Sequence, residues 1–377
     1  MNMKIGCPKE SKDQEYRVAL TPKSVKTLVD DGHQVWIEHD AGIGISCSDA
    51  DYEAVGAKIA SDADALFASV ELIVKVKEPN HLERMRLKPE HTLFTYLHLA
   101  SDPEQTRELI DSNAVCIAYE TVTDDQGTLP LLTPMSEIAG RLSVQEAAAH
   151  LGKHHGGMGV LLSGATGVPG AHVVIVGGGV VGMNACKIAL GLGAKVTVLD
   201  TSEKRLAQLK EQFPGQVNCV ISSEDTLAQN AIDADLLIGA VLVPGGAAAK
   251  LIPASLVKQM KPGSVIADVA IDQGGCCENS KPTTHKNPTF VVDGVIHYCV
   301  ANIPGAVPKT ASEALNNATL PYIRELANKG AKAALSENKH LLNGLNVCRG
   351  MVTRPEVAKD LGLPYTEAEI ALQEITA

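Results

Sequence analysis

Between His172 and Asp200 the chain spells out a single kind of supersecondary unit. The apolar run His172-Val-Val-Ile-Val176 is long enough for a buried parallel strand, and Gly177, Gly179 and Gly182 follow it in the G-x-G-x-x-G spacing that opens a helix. Each glycine has a separate role: Gly177 permits the tight turn, Gly179 lets the backbone approach a pyrophosphate, and Gly182 lets helix and strand pack closely. A second apolar run, Val196-Thr-Val-Leu, ends on Asp200. A carboxylate about 20 residues beyond the glycines accepts hydrogen bonds from the adenosine ribose and repels the additional phosphate of NADP. An ordinary βαβ turn also uses glycine. The full order of strand, glycines, helix, strand and acid points instead to a dinucleotide, and to NAD.

A chain of 377 residues exceeds what one hydrophobic core usually serves, so two domains are expected. Its formal charge of −11, from 33 basic and 44 acidic residues, argues against nucleic acid as a partner, and no basic run is interleaved with aromatics. No uncharged apolar stretch is long enough to span a membrane, and residues 1–12 lack the layout of a signal peptide, so a cytoplasmic protein without a membrane partner is expected. The nine cysteines form neither a C-x-x-C pair nor a regular framework, and reduced, buried thiols are expected with no metal implied. Cys276 and Cys277 are adjacent, a geometry that strains a disulfide, and no function is assigned to them.

The pattern before the fingerprint is also α/β. Strands are expected at Met3–Cys7, Gln34–Glu38, Leu72–Lys75, Leu93–Leu97 and Val115–Tyr119, with a helix from Thr21-Pro22 to Gly32 capped at Thr21. From Leu132 to Leu162 a long helical pattern connects the domains. Beyond Asp200, strands at Gln216–Val220, Leu236–Val241, Ser264–Val269, Thr289–Val292 and Ile296–Val300 complete a doubly wound sheet. A helix from Ser312 through Lys332 and a run of short helices then return the chain to its first domain. The expected fold is therefore α/β with two domains, each a doubly wound Rossmann-like parallel sheet, linked by long helices with a cleft between them. Residues 1–132 with 308–377 form the substrate domain, and 133–307 the NAD-binding domain.

Hydride chemistry needs more than a nucleotide site: an acid/base, a charge for the substrate and exclusion of water. Ligands collect beyond the carboxyl ends of strands in open α/β sheets, which selects Lys77, His98 and Asp272. His98, between two leucines, reads equally well as a core histidine and as a proton carrier that titrates near neutrality. Lys75 and Lys77 fall on one face by alternation, and one of them can be a solvated edge residue. Arg17 offers a planar fork to a carboxylate, although a surface arginine there would be unremarkable. Asp272 opens a glycine-rich loop, whereas Asp268, inside its strand, reads as structural.

These residues lie in motifs that are similar to those of the alanine dehydrogenase family: Glu15-Tyr-Arg-Val-Ala-Leu-Thr-Pro22, Lys75-Val-Lys-Glu-Pro79, Phe94-Thr-Tyr-Leu-His-Leu-Ala100, Pro134-Met-Ser-Glu137, Asp272-Gln-Gly-Gly275 and Val300-Ala-Asn302. The resemblance runs over nearly the whole chain and implies reversible oxidative deamination of L-alanine to pyruvate and ammonium with NAD. It implies that Arg17 and Lys77 hold the substrate and that His98 and Asp272 are the catalytic pair. It adds Ser136, Val180, Arg205, Ser222, Val241, Leu242, Val269, Ala270, Ile271, Val300, Ala301, Asn302 and Ile303 to Gly177, Gly179, Gly182 and Asp200 at the cofactor. It also implies a homohexamer. Ile303 and Lys281 depart from the family pattern in ways that bear on affinity. The competing readings are the NAD-binding subunit of a proton-translocating transhydrogenase, a saccharopine dehydrogenase-type enzyme and a non-catalytic NAD-binding protein. The presence of Arg17, Lys77, His98 and Asp272 favours the free enzyme.

Overall fold

A computed structural model describes residues 2–241 and 248–375. The chain divides into two compact units, Met1–Pro134 with Val307–Ala377, and Met135–Ala306. Both are α/β, as the alternation of apolar runs and capped helices requires.

The first unit begins with six strands: β1 Lys4–Cys7, β2 Gln34–Glu38, β3 Lys58–Ala60, β4 Leu72–Val74, β5 Thr92–Thr95 and β6 Val115–Ala118. They pair in parallel in the order β3-β2-β1-β4-β5-β6. Winding reverses between β1 and β4, the crevice where doubly wound sheets place ligands. The second unit contributes β7 His172–Val176, β8 Lys195–Asp200, β9 Val217–Ile221, β10 Leu236–Gly239, β11 Val265–Asp268, β12 Thr289–Val292 and β13 Val295–Tyr298. Their order is β12-β13-β11-β10-β7-β8-β9, so the same reversal falls between β7 and β10. The chain then closes the first sheet with β14 Leu345–Cys348 and β15 Met351–Val352.

Neither sheet is wholly parallel. β14 pairs antiparallel with β6 and with β15, and β12 pairs antiparallel with β13 through a tight turn at Asp293-Gly294, both in left-handed conformation. The expected run of short helices after the long carboxyl-terminal one therefore contains a buried hairpin, with Val347 opposite Cys116 and Val352. Asn346 interrupts the first of its strands and the second has two residues, so neither presents an apolar run like those of the central strands.

Two helices have other bounds than the sequence pattern suggests. The helix expected over 132–162 spans Thr133–His150, because the chain folds back over its end: a Cβ on Gly157 would stand 2.3 Å from the His150 carbonyl oxygen. The carboxyl-terminal helix runs from Pro308 to Lys329, ends at Gly330, and is followed by a separate helix at Ala331–Glu337. The helix at Pro22–Asp30 behaves as read, with the Thr21 side chain accepting from the Ser24 N–H and Gly32 at φ +91°.

Each unit has its own core. Leu66, Phe67, Ile73, Leu93, Leu109 and Val347 pack together in the first, and Val174, Leu237, Ile252, Val257 and Ile266 in the second. Helices cover both faces of the central strands, so those strands carry near-continuous apolar runs.

Candidate active site

In the first unit every candidate lies beyond a strand's carboxyl end. Val18, Ala19 and Leu20 are buried, and the helix Pro308–Lys329 holds the backbone on either side of them. The Val18 N–H donates to Ser312 Oγ at 3.0 Å and the Thr21 N–H to Asn316 Oδ1 at 2.9 Å. Arg17 itself is no surface arginine. Its side chain is 2% exposed and forms a fork with Glu15, Nε to Oε1 at 2.7 Å and Nη2 to Oε2 at 2.5 Å. Burial disfavours the guanidinium charge, and the bonds and charge of Glu15 outweigh it, so the group is held above its ordinary pKa. The pairing fixes the plane of the fork.

The two lysines have different fates. β4 stops at Val74, so strand alternation does not extend to Lys75 and Lys77, and neither is a solvated edge residue. Lys75 is fully buried between Glu83 at 2.8 Å and Glu10 at 3.3 Å. Burial opposes its charge, but the two carboxylates raise its pKa. The Glu10 carboxylate also accepts the Val76 N–H at 2.7 Å and the Lys77 N–H at 3.4 Å, which pins the turn that carries Lys77. Lys77 places Nζ 3.7 Å from Glu78 Oε2, with its side chain 16% exposed. Burial works against ionisation of Glu78, yet Lys77, Lys12 and, more weakly, His98 bring its pKa down to about 2.

His98 is not a core histidine. Its side chain is 44% exposed at the end of the β5 segment, and its backbone lies in the left-handed region at φ +50°. The ring stacks on Tyr96, centroids 5.9 Å apart and planes 7° apart. The Glu120 carboxylate accepts the His98 N–H at 2.7 Å and lies 3.9 Å from Nδ1. Lys77 pairs with Glu78 and His98 stacks on Tyr96, while the charge of Arg17 acts on Tyr96 and that of His98 on Glu78, so the candidates of this unit are coupled electrostatically.

The second unit carries the glycine-rich turn between β7 and the helix Val180–Gly191. Gly177 takes φ +101°, the Gly178 N–H donates to Asp200 Oδ2 at 2.7 Å, and Gly179 precedes the helix Val180–Gly191 with open space where a Cβ would stand. On Gly182 a Cβ would meet the Gly177 carbonyl oxygen at 1.8 Å, so only glycine lets the helix rest on this turn. A bare backbone, helical N–H groups and an open approach fit a pyrophosphate. Asp200 also accepts the Ser202 N–H at 2.8 Å, and carboxylate oxygens retain further acceptor capacity. Arg205 bonds the Gly178 and Gly179 carbonyls and so braces the loop from its outer side. Ser222 follows β9, and its N–H donates to the Asp200 carbonyl at 3.0 Å. Val241 follows β10; Leu242 lies outside the described residues. Ser136 is half-buried in the first turn of its helix.

Val269, Ala270 and Ile271 open a 3-10 turn after β11 that presents Asp272 to solvent. The turn hangs from Asp268, which is fully buried and accepts the Ala270 N–H, the Cys277 N–H and the Ser280 hydroxyl at 3.2, 3.0 and 2.6 Å. After β13, Val300, Ala301, Asn302 and Ile303 form a second turn. The Asn302 N–H donates to Asp272 Oδ1 at 3.3 Å, which ties the two turns together. Cys276 and Cys277 are buried thiols, their pKa values raised by desolvation and by Asp268.

Two family models cover nearly all of this architecture: the alanine dehydrogenase/PNT N-terminal domain matches residues 6–139 and the corresponding C-terminal domain residues 143–355. The chain belongs to the alanine dehydrogenase/PNT family. It is 55% identical to an alanine dehydrogenase of Halomonas elongata over 97% of this chain and 99% of that one. A solved L-alanine dehydrogenase superposes with a TM-score of 0.91 at 51% identity, covering 96% of this chain and 99% of the other. A transhydrogenase of Sinorhizobium meliloti superposes at 0.79 with 23% identity over 93% and 99%, a likeness of fold.

Within the alanine dehydrogenase/PNT architecture, several residues that shape the candidate site are given no role by the sequence reading, although Glu15 and Glu78 lie inside its motifs. Glu10, Glu15, Glu78 and Glu120 supply the carboxylates that fix the cations and the histidine. Glu120 falls under the strand-end rule, two residues beyond β6, but acidic residues near turns are too common to stand out. Lys281 places its ammonium 4.6 Å over the Phe290 ring.

Proposed function

We propose that the chain is an NAD-dependent L-alanine dehydrogenase, converting L-alanine, NAD and water to pyruvate, ammonium and NADH, reversibly. The observation that carries this reading is that Lys77 with Glu78 and His98 with Tyr96 stand beyond the carboxyl ends of one sheet, with the buried Arg17 of the same unit acting electrostatically on Tyr96. The 55% identity to an alanine dehydrogenase over nearly the full chain supports it.

Residues Gly177, Gly179, Val180, Gly182, Asp200, Arg205 and Ser222 would hold the dinucleotide. Ser136, Val241, Leu242, Val269 to Ile271 and Val300 to Ile303 complete that assignment. When bound, the nicotinamide supplies a hydride acceptor. Asp200 favours NAD over NADP through its charge.

The chain's own residues do the rest. Arg17, its plane fixed by Glu15, takes the substrate carboxylate. Lys77 polarises the 2-oxo group in the reductive direction, and its pairing with Glu78 keeps the site's charge from becoming strongly positive. His98 takes and returns protons at the substrate oxygen and nitrogen as carbinolamine and imine interconvert. Asp272 stabilises the cation on nitrogen. The resemblance to alanine dehydrogenases carries with it a homohexamer in the cytoplasm, which sedimentation tests for assembly.

The forward reaction tests the proposal. Incubation with L-alanine and NAD is expected to yield pyruvate, ammonium and NADH in equal amounts. NADH formation without ammonium would refute the deamination.

A further inference from the structure

The His98 backbone is held in a conformation that L-residues seldom adopt. At φ +50° and ψ +41° its Cβ approaches the following carbonyl, a left-handed conformation that costs an L-residue energy even though histidine adopts it more readily than most side chains. The conformation swings the chain out of the β5 line into a 3-10 turn at Leu99–Ser101. It also leaves the N–H groups of Leu97 and His98 beyond the end of the sheet ladder, since β5 ends at Thr95. Glu120, in the turn Tyr119–Thr121 that follows the adjacent β6, takes both. Its Oε1 accepts from Leu97 at 3.2 Å and from His98 at 2.7 Å, while Oε2 accepts from Leu97 at 3.2 Å.

The same carboxylate does not grip the ring. Nδ1 stands 3.9 Å from Oε1, beyond hydrogen-bond reach. The imidazole plane is set instead by its stack on Tyr96, whose hydroxyl donates to the Leu131 carbonyl at 2.5 Å. A backbone locked from one side and a ring steadied by stacking leave the imidazole nitrogens to move protons.

We propose that Glu120 is a positioning residue for His98, acting through the reach of one oxygen to two consecutive backbone N–H groups and not through its charge on the ring. The inference rests on the reading of His98 as the proton carrier. Because a single oxygen, Oε1, receives both bonds, the amide oxygen of glutamine can replace it. Aspartate keeps the charge but is one methylene too short.

The test therefore compares Glu120→Gln with Glu120→Asp in the full-length protein. The measurements are kcat and KM for ammonium-dependent reduction of pyruvate, NADH affinity and the melting temperature. Glu120→Gln is expected to keep kcat within about threefold of the parent, and Glu120→Asp to lose about tenfold or more, the scale of a misplaced reacting group. NADH affinity should be unchanged in both, and the melting temperature unchanged in Glu120→Gln. Aspartate outperforming glutamine would show that the charge matters and would overturn the proposal. So would parental kcat in both variants, or equal losses in both with a fall in melting temperature. His98→Ala, measured beside them, separates the two levels of inference. An active His98→Ala variant removes the proton-carrier reading itself, whereas an inactive one beside a fully active Glu120→Asp removes only the positioning role.

Discussion

His98 and Glu78 show how individual side chains set this chemistry. His98 is exposed, stacked and held at its backbone, which suits proton transfer better than packing. His98→Ala is expected to lower turnover by about a hundredfold or more, within the span assigned to general acid–base catalysis, while NADH binding, followed by fluorescence, persists. Full activity would contradict the role. Glu78 yields a pH prediction. Its pKa falls from an unfolded value near 4.5 to about 2, so its stabilising effect is complete above 4.5 and is lost as the pH drops through about 2. In urea titrations Glu78→Gln should be less stable than the parent at neutral pH. The difference should shrink below pH 4.5 and vanish near 2. A gap that stays constant with pH would show that Lys77 and Lys12 do not hold the carboxylate ionised.

The elements bear out the sequence reading where local signals are strong. Thr21, Pro22 and Gly32 mark the ends of one helix in the chain itself, and the run His172–Val176 with its glycines needs no tertiary information. β3, β14 and β15 are not legible in the sequence: Lys58-Ile-Ala60 and Leu345-Asn-Val-Cys348 include a polar residue in three or four positions and Met351-Val352 is only two residues long, so none presents an apolar run like Leu72-Ile-Val74, and their pairing comes from neighbours distant in sequence. The helix Pro308–Lys329 was legible as a helix, but not as the brace of Arg17. Asn316 bonds the Thr21 N–H from 295 positions away, and no sequence pattern connects the two. Asn316→Ala should lower the stability of the first unit by about 1–3 kcal/mol, because it leaves a buried N–H unsatisfied. Chemical denaturation measures this; an unchanged midpoint would mean that the contact is replaced by water.

At the scale of the whole molecule, both units wind in the same order and reverse direction once. The residues assigned to chemistry follow the carboxyl ends of their strands in each. That rule is why Lys77, His98 and Asp272 were selected from sequence. The carboxylates Glu10, Glu15 and Glu120 were not, since their partners are backbone groups and buried cations that only the fold reveals. The central claim is a reaction, and its most direct measurement is the oxidation of NADH in the presence of ammonium and a series of 2-oxo acids. Pyruvate is expected to be reduced fastest, with strict dependence on ammonium, and oxaloacetate, 2-oxoglutarate and glyoxylate more slowly. NADH binding without turnover on any of them, or turnover independent of ammonium, would contradict the account.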